Sequence, residues 1–300
     1  MSENQLVKKE TFSQYLTKDS IKSKINAIVG SEKGANFISG LLSAVQTNPS
    51  LQMCSQASLL NCALLGHSLN LSPSPQLGHY YIVPYENKKL GITEGQFQLG
   101  YKAYIQMALR TGQYKTISVI DVKQGELKRF NRLTDEIELE FNENDYEREK
   151  LNTVGYVAYF KLVNGFEKTL FWTKEKMEIH ADKYSKAFNL KAMQDLKSGK
   201  VAEKDMWRYS SFWYKDFDGM AFKTMLRQLI SKWGIMSTEM ELAFKADMSV
   251  MREDNSFDYV DNDNEEIEEV KTISKEQQEE IAKTIRRQWQ IVGKTCAKRV

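Results

Sequence analysis

The chain has 300 residues, of which 41% are hydrophobic and 27% are charged, a composition typical of a folded globular protein and not of a disordered one. It contains no run approaching about 18 apolar residues, which excludes a membrane-spanning helix, and its polar first residues lack the apolar stretch of a signal peptide. Its three cysteines show no paired spacing and fit a reducing compartment. We therefore expect a soluble cytoplasmic protein.

The formal net charge of +2 conceals separate blocks of charge. Residues 135–149 hold eight acids and one base, and residues 251–272 hold nine acids and two bases. Residues 273–300 hold seven bases against three acids. Positive charge must therefore concentrate elsewhere in residues 1–250, as nucleic-acid binding requires, although charge segregation is also common on ordinary surfaces.

The first part of the chain, residues 1–75, favours helices. Closely spaced leucines between residues 51 and 65 predict a largely buried helix that ends near Gly66. The sequence SPSP (72–75) then stops it, because neither proline can continue a helix.

A change of hydrophobic period predicts strands in the middle of the chain. HYYIVPY (79–85) and LGITEGQFQLG (90–100) indicate a β-hairpin, and residues 101–111 indicate a helix that ends at Gly112. Two further strand pairs are predicted, over 115–133 about Gln124-Gly125 and over 153–172 about Asn164-Gly165. After Trp172 the pattern is helical through roughly residue 249.

The C-terminal part is predicted to be separate from this core of residues 1–250. The acidic stretch 251–272 has few apolar residues and no clear period, which favours a solvated linker. In 273–300, Ser274 and Gln277 are spaced as a capping box for a final helix. Its apolar residues fall on one face: Ile281, Ile285, Trp289 and Val292. This stripe predicts a helix that docks on a partner, and the alternative is that it packs back on the core.

Motifs of nucleotide and metal enzymes are absent from the sequence. GSEKGAN (30–36) lacks the Lys-Ser/Thr of a P-loop, and no Cys/His spacing resembles a zinc site. Asp216 and Asp218, followed by Lys223, could belong to a metal-dependent nuclease. The alternative is that one aspartate caps the helix that starts there. We expect no cofactor, no metal and no enzymatic activity.

Two predicted helices carry basic stripes opposite apolar faces. In the first, Lys102, Gln106 and Arg110 form one polar line four residues apart. The predicted buried side of this helix consists of Tyr104, Ile105, Ala108 and Leu109.

In the second, Lys223 and Arg227 lie four residues apart, with Lys215 just upstream. Like charges at this spacing repel by a few tenths of a kcal/mol, which suggests a shared anionic partner. Aromatic residues that could stack DNA bases lie beside these charges, although each ring alone is more typical of the core: Tyr209, Phe212, Trp213 and Tyr214.

Three segments resemble the RecT family of phage single-strand annealing proteins in order and spacing. They are LGHYYIVPY (77–85), FQLGYKAYIQMALRTGQY (97–114) and SSFWYKDFDGMAFKTMLRQLISKW (210–233), so the resemblance covers roughly residues 50–235. Ala103 departs from the glycine that commonly follows Gly-Tyr-Lys in the family, which puts close backbone approach there in doubt.

The resemblance implies an α+β fold with a Rad52-like annealing core, an antiparallel sheet of hairpins backed by helices. It implies a homo-oligomer, as a ring or helical filament, that pairs complementary DNA single strands without ATP in a bacterial host cell. A phage exonuclease and a host single-strand-binding protein are the expected partners of the C-terminal helix.

The hairpin at 79–99 is expected to lie over the DNA groove. The predicted DNA-binding residues are Lys102, Gln106, Arg110, Lys215, Lys223 and Arg227. The alternatives are the nuclease and a passive single-strand coat.

Overall fold

The computed structural model describes residues 10–74, 76–88, 90–185, 187–251 and 257–259. Helices and antiparallel strands alternate along them, so the predicted α+β fold is confirmed. No helix of these ranges is long and apolar enough to cross a membrane. The predicted C-terminal helix in 273–300 lies outside the described residues.

The N-terminal part is helical, as predicted. A capping box between Thr11 and Gln14 starts its first helix. The last helix has every residue from Ser58 to Gly66 buried and ends two residues beyond Gly66. The helices are α1 (Phe12–Thr17), α2 (Asp19–Val29), α3 (Ser31–Thr47) and α4 (Gln56–Ser68), with a short 3-10 helix at Pro49–Met53.

The predicted hairpin at 79–99 is confirmed and belongs to a four-stranded sheet. Strands β1 (Tyr80–Asn87) and β2 (Ile92–Leu99) pair antiparallel, and helix α5 (Tyr101–Arg110) follows directly. A buried hydrogen bond from the Gly95 amide to Ser58 Oγ, 2.7 Å, ties this hairpin to α4.

A second sheet has the order β3-β6-β7. Its strands are β3 (Tyr114–Lys123), β6 (Thr153–Leu162) and β7 (Glu167–Thr173). The predicted pair about Asn164-Gly165 is confirmed as β6 and β7.

The strand pair predicted over 115–133 is partly wrong. Both strands exist, but β4 (Leu127–Phe130) pairs with β5 (Ile137–Leu139) and not with β3. The Lys123 amide, the ladder donor nearest the turn, donates instead to the buried carboxylate of Glu126 at 2.7 Å. The acidic block 135–149 therefore contains β5 and a short helix, α6 (Asp145–Lys150).

Helices dominate after Trp172, as predicted. They are α7 (Lys174–Tyr184), α8 (Leu190–Lys197), α9 (Phe212–Lys215), α10 (Phe217–Trp233) and α11 (Thr238–Ala246), with a 3-10 helix at Glu203–Tyr209. Of these, α11 contacts the first sheet, and α7 and α10 pack on the second. Helices α5 and α10 pack on each other, and both contact this sheet. The ring of Phe222 packs edge-on against Tyr101 of α5 and Tyr156 of β6.

The predicted linker 251–272 begins differently from expectation. Met251 ends strand β8 (Ser249–Met251), and β9 (Phe257–Tyr259) pairs with it, so the first sheet has the order β1-β2-β8-β9. Met251 and Phe257 pack against the core, which explains why the acidic stretch starts inside the fold. Its remaining residues lie outside the described ones.

Helix α4 packs so closely on β1 that Gly66 has no room for a side chain. An added Cβ would overlap the ring of Tyr80, which is buried and stacked on Phe97. We expect Gly66→Ala to lower the free energy of unfolding in urea by about 1–3 kcal/mol, as overpacking does.

The matched control is Gly40→Ala on α3, where nothing lies within 4 Å of an added Cβ. Because alanine favours helix over glycine, this variant should keep or raise the free energy of unfolding by up to about 1 kcal/mol. Equal losses in the two variants would contradict the packing of α4 on β1.

Candidate nucleic-acid interface

The polar line predicted on α5 lies on the protein surface. Lys102 and Arg110 are exposed and Gln106 is half-buried between them. With Ile105 and Leu109 they line a surface depression of about 440 Å³. Leu109 is 50% exposed, so the prediction that it belongs to the buried side is wrong.

The exposure of Leu109 follows from the geometry of helix α5. Ala103, Tyr104, Met107 and Ala108 are the α5 residues buried in the core. Ile105 and Leu109 are turned about 100° from their neighbours Tyr104 and Ala108, toward the polar line. The depression is consequently apolar at its centre and cationic at its ends, which suits a ligand with charged groups and flat apolar ones.

Arg110 is partly held in place by the backbone. Its Nη2 donates to the Leu69 carbonyl oxygen at 3.0 Å, just after α4. This contact orients the guanidinium without neutralising it, since a carbonyl carries no net charge. Its Nη1 donates to the Asn70 carbonyl oxygen at 3.5 Å, and the other donors of Arg110 are available to an anion.

The surface continues from α5 to the start of α10 across the base of the hairpin. The stem of Lys102 lies beside Gly78, close to the hydroxyl of Tyr81. The ring of Tyr81 lies 5.3 Å from that of Phe212 in α9, and the exposed Lys215 ends that helix. Three of the predicted residues thus line one depression, and the fourth lies in the helix whose Phe212 contacts Tyr81. We call these four residues the α5 surface: Lys102, Gln106, Arg110 and Lys215.

Two glycines make this junction possible. A Cβ at Gly100 would overlap the carbonyl oxygen of Gly78, and Gly78 itself has φ +62. The Gly100 amide donates to the His79 carbonyl oxygen at 2.8 Å. The close backbone approach thus occurs at Gly78 and Gly100, while Ala103 is simply buried in the core.

Lys223 and Arg227 have an anionic partner inside the protein. Lys223 Nζ lies 2.8 Å from Asp247 Oδ1, and Arg227 Nη1 lies 3.2 Å from Asp247 Oδ2. The Lys223 side chain is 8% exposed and that of Arg227 is 36% exposed. The predicted shared anion therefore exists as a carboxylate of this chain, and the DNA contacts of both residues stay a prediction.

Asp247 is buried and fully engaged. Besides the two cations, it accepts hydrogen bonds from the Leu99 amide at 2.9 Å and from the Tyr104 hydroxyl at 2.8 Å. Burial would raise the pKa of Asp247, but Lys223, Arg227 and the Leu99 amide together lower it below its ordinary value. Asp247 thus stays ionised and joins β2, α5 and α10.

Sequence reasoning missed Asp247 and the contact between the rings of Tyr81 and Phe212, which are tilted by 43°. Asp247 is 24 residues from Lys223, so no helical spacing connects them. The only signal was a single acid after the apolar helix α11. Tyr81 was read as part of a strand, and its contact with α9 depends on the tertiary fold.

The aspartates of the nuclease alternative have structural roles. Asp216 caps α10 by accepting from the Gly219 amide at 3.0 Å, which confirms the capping prediction. Asp218 accepts from the Tyr156 hydroxyl at 2.6 Å. Within the described ranges, no group of three or more His, Cys, Asp or Glu side chains could hold a metal ion.

The aromatic residues that were predicted to stack on DNA bases have different roles in the structure. Trp213 is buried, and the Tyr214 hydroxyl accepts from the Asn189 amide at 2.8 Å. Tyr209 packs edge-on against Tyr214. Phe212 is the ring that joins the α5 surface through Tyr81.

Comparison with known proteins gives a consistent result. The model of the RecT family matches residues 35–272. The chain is 38% identical over 256 residues to the uncharacterized protein YqaK of Bacillus subtilis, covering 85% of this chain and 76% of YqaK. It is 25% identical over 244 residues to Protein RecT of Escherichia coli, covering 80% and 81%.

Removing the charge of Asp247 should destabilise the fold strongly. Asp247→Asn leaves the buried Lys223 ammonium without its counter-ion, so we expect a loss of about 3–5 kcal/mol in the free energy of unfolding. Lys223→Met in the same background should restore part of it. As a control, Glu147→Gln breaks an exposed pair with Lys150 and should cost less than about 1 kcal/mol. A loss in Asp247→Asn no larger than this control would contradict the role of Asp247.

The wild-type protein and the Asp247→Asn variant should also differ in how their stability depends on pH. Because the pKa of Asp247 is lowered on folding, its stabilisation is complete above the ordinary carboxyl pKa and is lost as the pH falls through the lowered value. Unfolding free energies measured from pH 7 downward should converge between wild type and Asp247→Asn below about pH 4. A constant difference down to the acid limit would show that Asp247 does not titrate in this way.

Proposed function

The chain belongs to the RecT family, and on that premise we propose that it pairs complementary DNA single strands without consuming a nucleotide. The observation that carries the proposal is the α5 surface, which joins exposed cations to half-buried aromatic rings on one face. A single strand offers both matching features, phosphates for the cations and base faces for the rings.

We place the phosphates on Lys102, Arg110 and Lys215, with Gln106 adding a hydrogen bond. Contacts of this kind position a strand without reading its sequence, as a protein that pairs any two complementary strands requires. Bases would stack on Tyr81 and Phe212. Sequence specificity then comes from base pairing alone.

Lys223 and Arg227 take a different place in the mechanism from the one predicted. Direct contact between a phosphate and Lys223 would require the ammonium to leave Asp247, its partner at 2.8 Å. In our proposal Lys223 holds α10 against β2 and α5, and Arg227, which is more exposed, can reach a phosphate while it stays paired to Asp247.

Pairing is accelerated because cations reduce the repulsion between two backbones. The counterions released from DNA on binding make affinity fall steeply with salt. No step requires bond cleavage, so no catalytic residue or cofactor is assigned. A homo-oligomer, as a ring or filament, would extend the α5 surface from subunit to subunit.

Several expectations from the family stay predictions. They are the Rad52-like arrangement of the core, the position of the hairpin at 79–99 over the DNA, and the cytoplasmic site of action. The docking of an exonuclease or a host single-strand-binding protein on residues 273–300 falls outside the described residues.

The test is the annealing of two complementary labelled oligonucleotides without ATP, with strand length checked on a denaturing gel. We expect faster pairing and intact strands. Shortened strands would favour the nuclease alternative, and binding without acceleration would favour the passive coat.

The site assignment is tested by Lys102→Gln together with Lys215→Gln. Losing two phosphate contacts should weaken binding of a single strand and reduce its salt slope by about 1.4. The control is Lys22→Gln with Lys33→Gln, which removes two exposed charges from α2 and α3. If both double variants keep the affinity and slope of the wild type, the α5 surface is not the DNA site.

A further inference from the structure

A second basic surface lies between α7, the loop after β4 and the end of α10. Its exposed cations are Arg132, Lys176, Lys183 and Lys232, which we call the α7 patch. Lys176 and Lys232 lie over aromatic rings, with Nζ 4.2 Å from the ring centre of Trp172 and 5.8 Å from that of Trp233. A third lysine, Lys168, lies 4.6 Å from the Trp233 ring centre.

The four cations of the α7 patch are not paired with the acids around them. In the described part of the chain, none of its four cations forms an ion pair. Of the acids nearby, Asp135 pairs with Lys168 and Glu178 with Lys197. Asp182 accepts a hydrogen bond from the Leu190 amide at 2.7 Å, and Glu175 is exposed beside Lys176. An aromatic ring attracts a cation but carries no net charge, so the positive field remains.

His180 reports this field. Its ring lies 5.1 Å from that of Trp172, and burial together with Lys176, Lys183 and Lys232 lowers its pKa to about 4. The pKa of Lys176 is likewise lowered, by burial and by the charges of Arg132 and Lys232. Cations that disfavour one another's charge gain most from a shared polyanion.

The α7 patch is separate from the α5 surface. Helix α5 contacts β3, at one edge of the sheet β3-β6-β7, whereas α7 follows β7 at the other edge. Lys215 ends α9, just before α10 begins, and Lys232 lies in the last turn of α10, so that about 22 Å of helix lies between Phe217 and Lys232. A short stretch of one DNA strand therefore cannot contact both surfaces at the same time.

We propose that the α7 patch binds the phosphate backbone of a second DNA strand while the α5 surface holds the first. The inference rests on the proposed function and adds where the incoming strand is captured before it pairs. Cations interleaved with aromatic rings are typical of single-strand surfaces. A backbone of regularly spaced charges matches several cations at once.

The test loads full-length protein with a donor-labelled oligonucleotide and then adds an acceptor-labelled, non-complementary one. In wild type we expect energy transfer from capture of the second strand. In Lys176→Gln with Lys232→Gln, first-strand affinity should stay within about two-fold and second-strand affinity should fall by about ten-fold, with a smaller salt slope. Lys22→Gln with Lys33→Gln should behave as wild type in both measurements.

The other possible outcomes distinguish a failure of this inference from a failure of the proposed function. Equal second-strand capture by wild type and Lys176→Gln with Lys232→Gln overturns the α7 patch and leaves the proposed function standing. A wild-type protein that binds no first strand overturns the proposed function and this inference with it. If the patch variant keeps second-strand capture but loses binding to labelled polyglutamate, the patch serves an acidic protein partner instead. Unchanged thermal unfolding of the variant shows that the fold is intact.

Discussion

The buried carboxylate of Asp247 is the interaction on which the rest of the structure depends. Its four partners come from three elements: the Leu99 amide of β2, the Tyr104 hydroxyl of the adjoining helix α5, and the Lys223 and Arg227 cations of α10, which is distant from both in sequence. An ionised carboxylate cannot be buried without such compensation. An arrangement that moved α10 away from β2 and α5 would leave the buried Asp247 carboxylate or the Lys223 ammonium unpaired, so the network favours the observed packing of α5 and α10. That packing in turn places the α5 surface.

The elements could be predicted largely from the sequence because they depend on local chemistry. Local patterns are enough to predict the helices, the hairpin 79–99 and the pair β6–β7. These patterns are the hydrophobic period, the prolines in 72–75 and the dipeptide Asn164-Gly165. Where local chemistry competed with a longer-range contact, prediction failed. The strand after Gln124-Gly125 does not pair with β3 because the Lys123 amide donates its hydrogen bond to the Glu126 carboxylate. Arg148 Nε holds this carboxylate by a hydrogen bond of 2.6 Å.

The candidate site was predictable in part, for the same physical reason. Lys102, Gln106 and Arg110 share a face because a helix repeats every 3.6 residues, and spacing alone reveals this. Charge alone does not reveal where a cation is directed. Lys223 and Arg227 carry the same pattern as an exposed stripe, yet Asp247, distant in sequence, draws both inward. Only the fold distinguishes a cation directed at solvent from one that holds two helices together.

The placement of acids explains how a chain of net charge +2 can attract a polyanion. Acids of the block 135–149 pair with nearby cations: Asp135 with Lys168, Glu140 with Lys128 and Glu147 with Lys150. These acids neutralise cations of their own region, and Asp247 does the same inside the core. Among the described residues, the cations of the α5 surface and the α7 patch form no ion pair with a carboxylate. Because screening limits charge interactions to roughly 10 Å at ordinary salt, a nearby strand responds to these local surfaces and not to the sum over the chain. In the proposed function, the affinity for DNA would therefore come from the segregation of charge and not from its total.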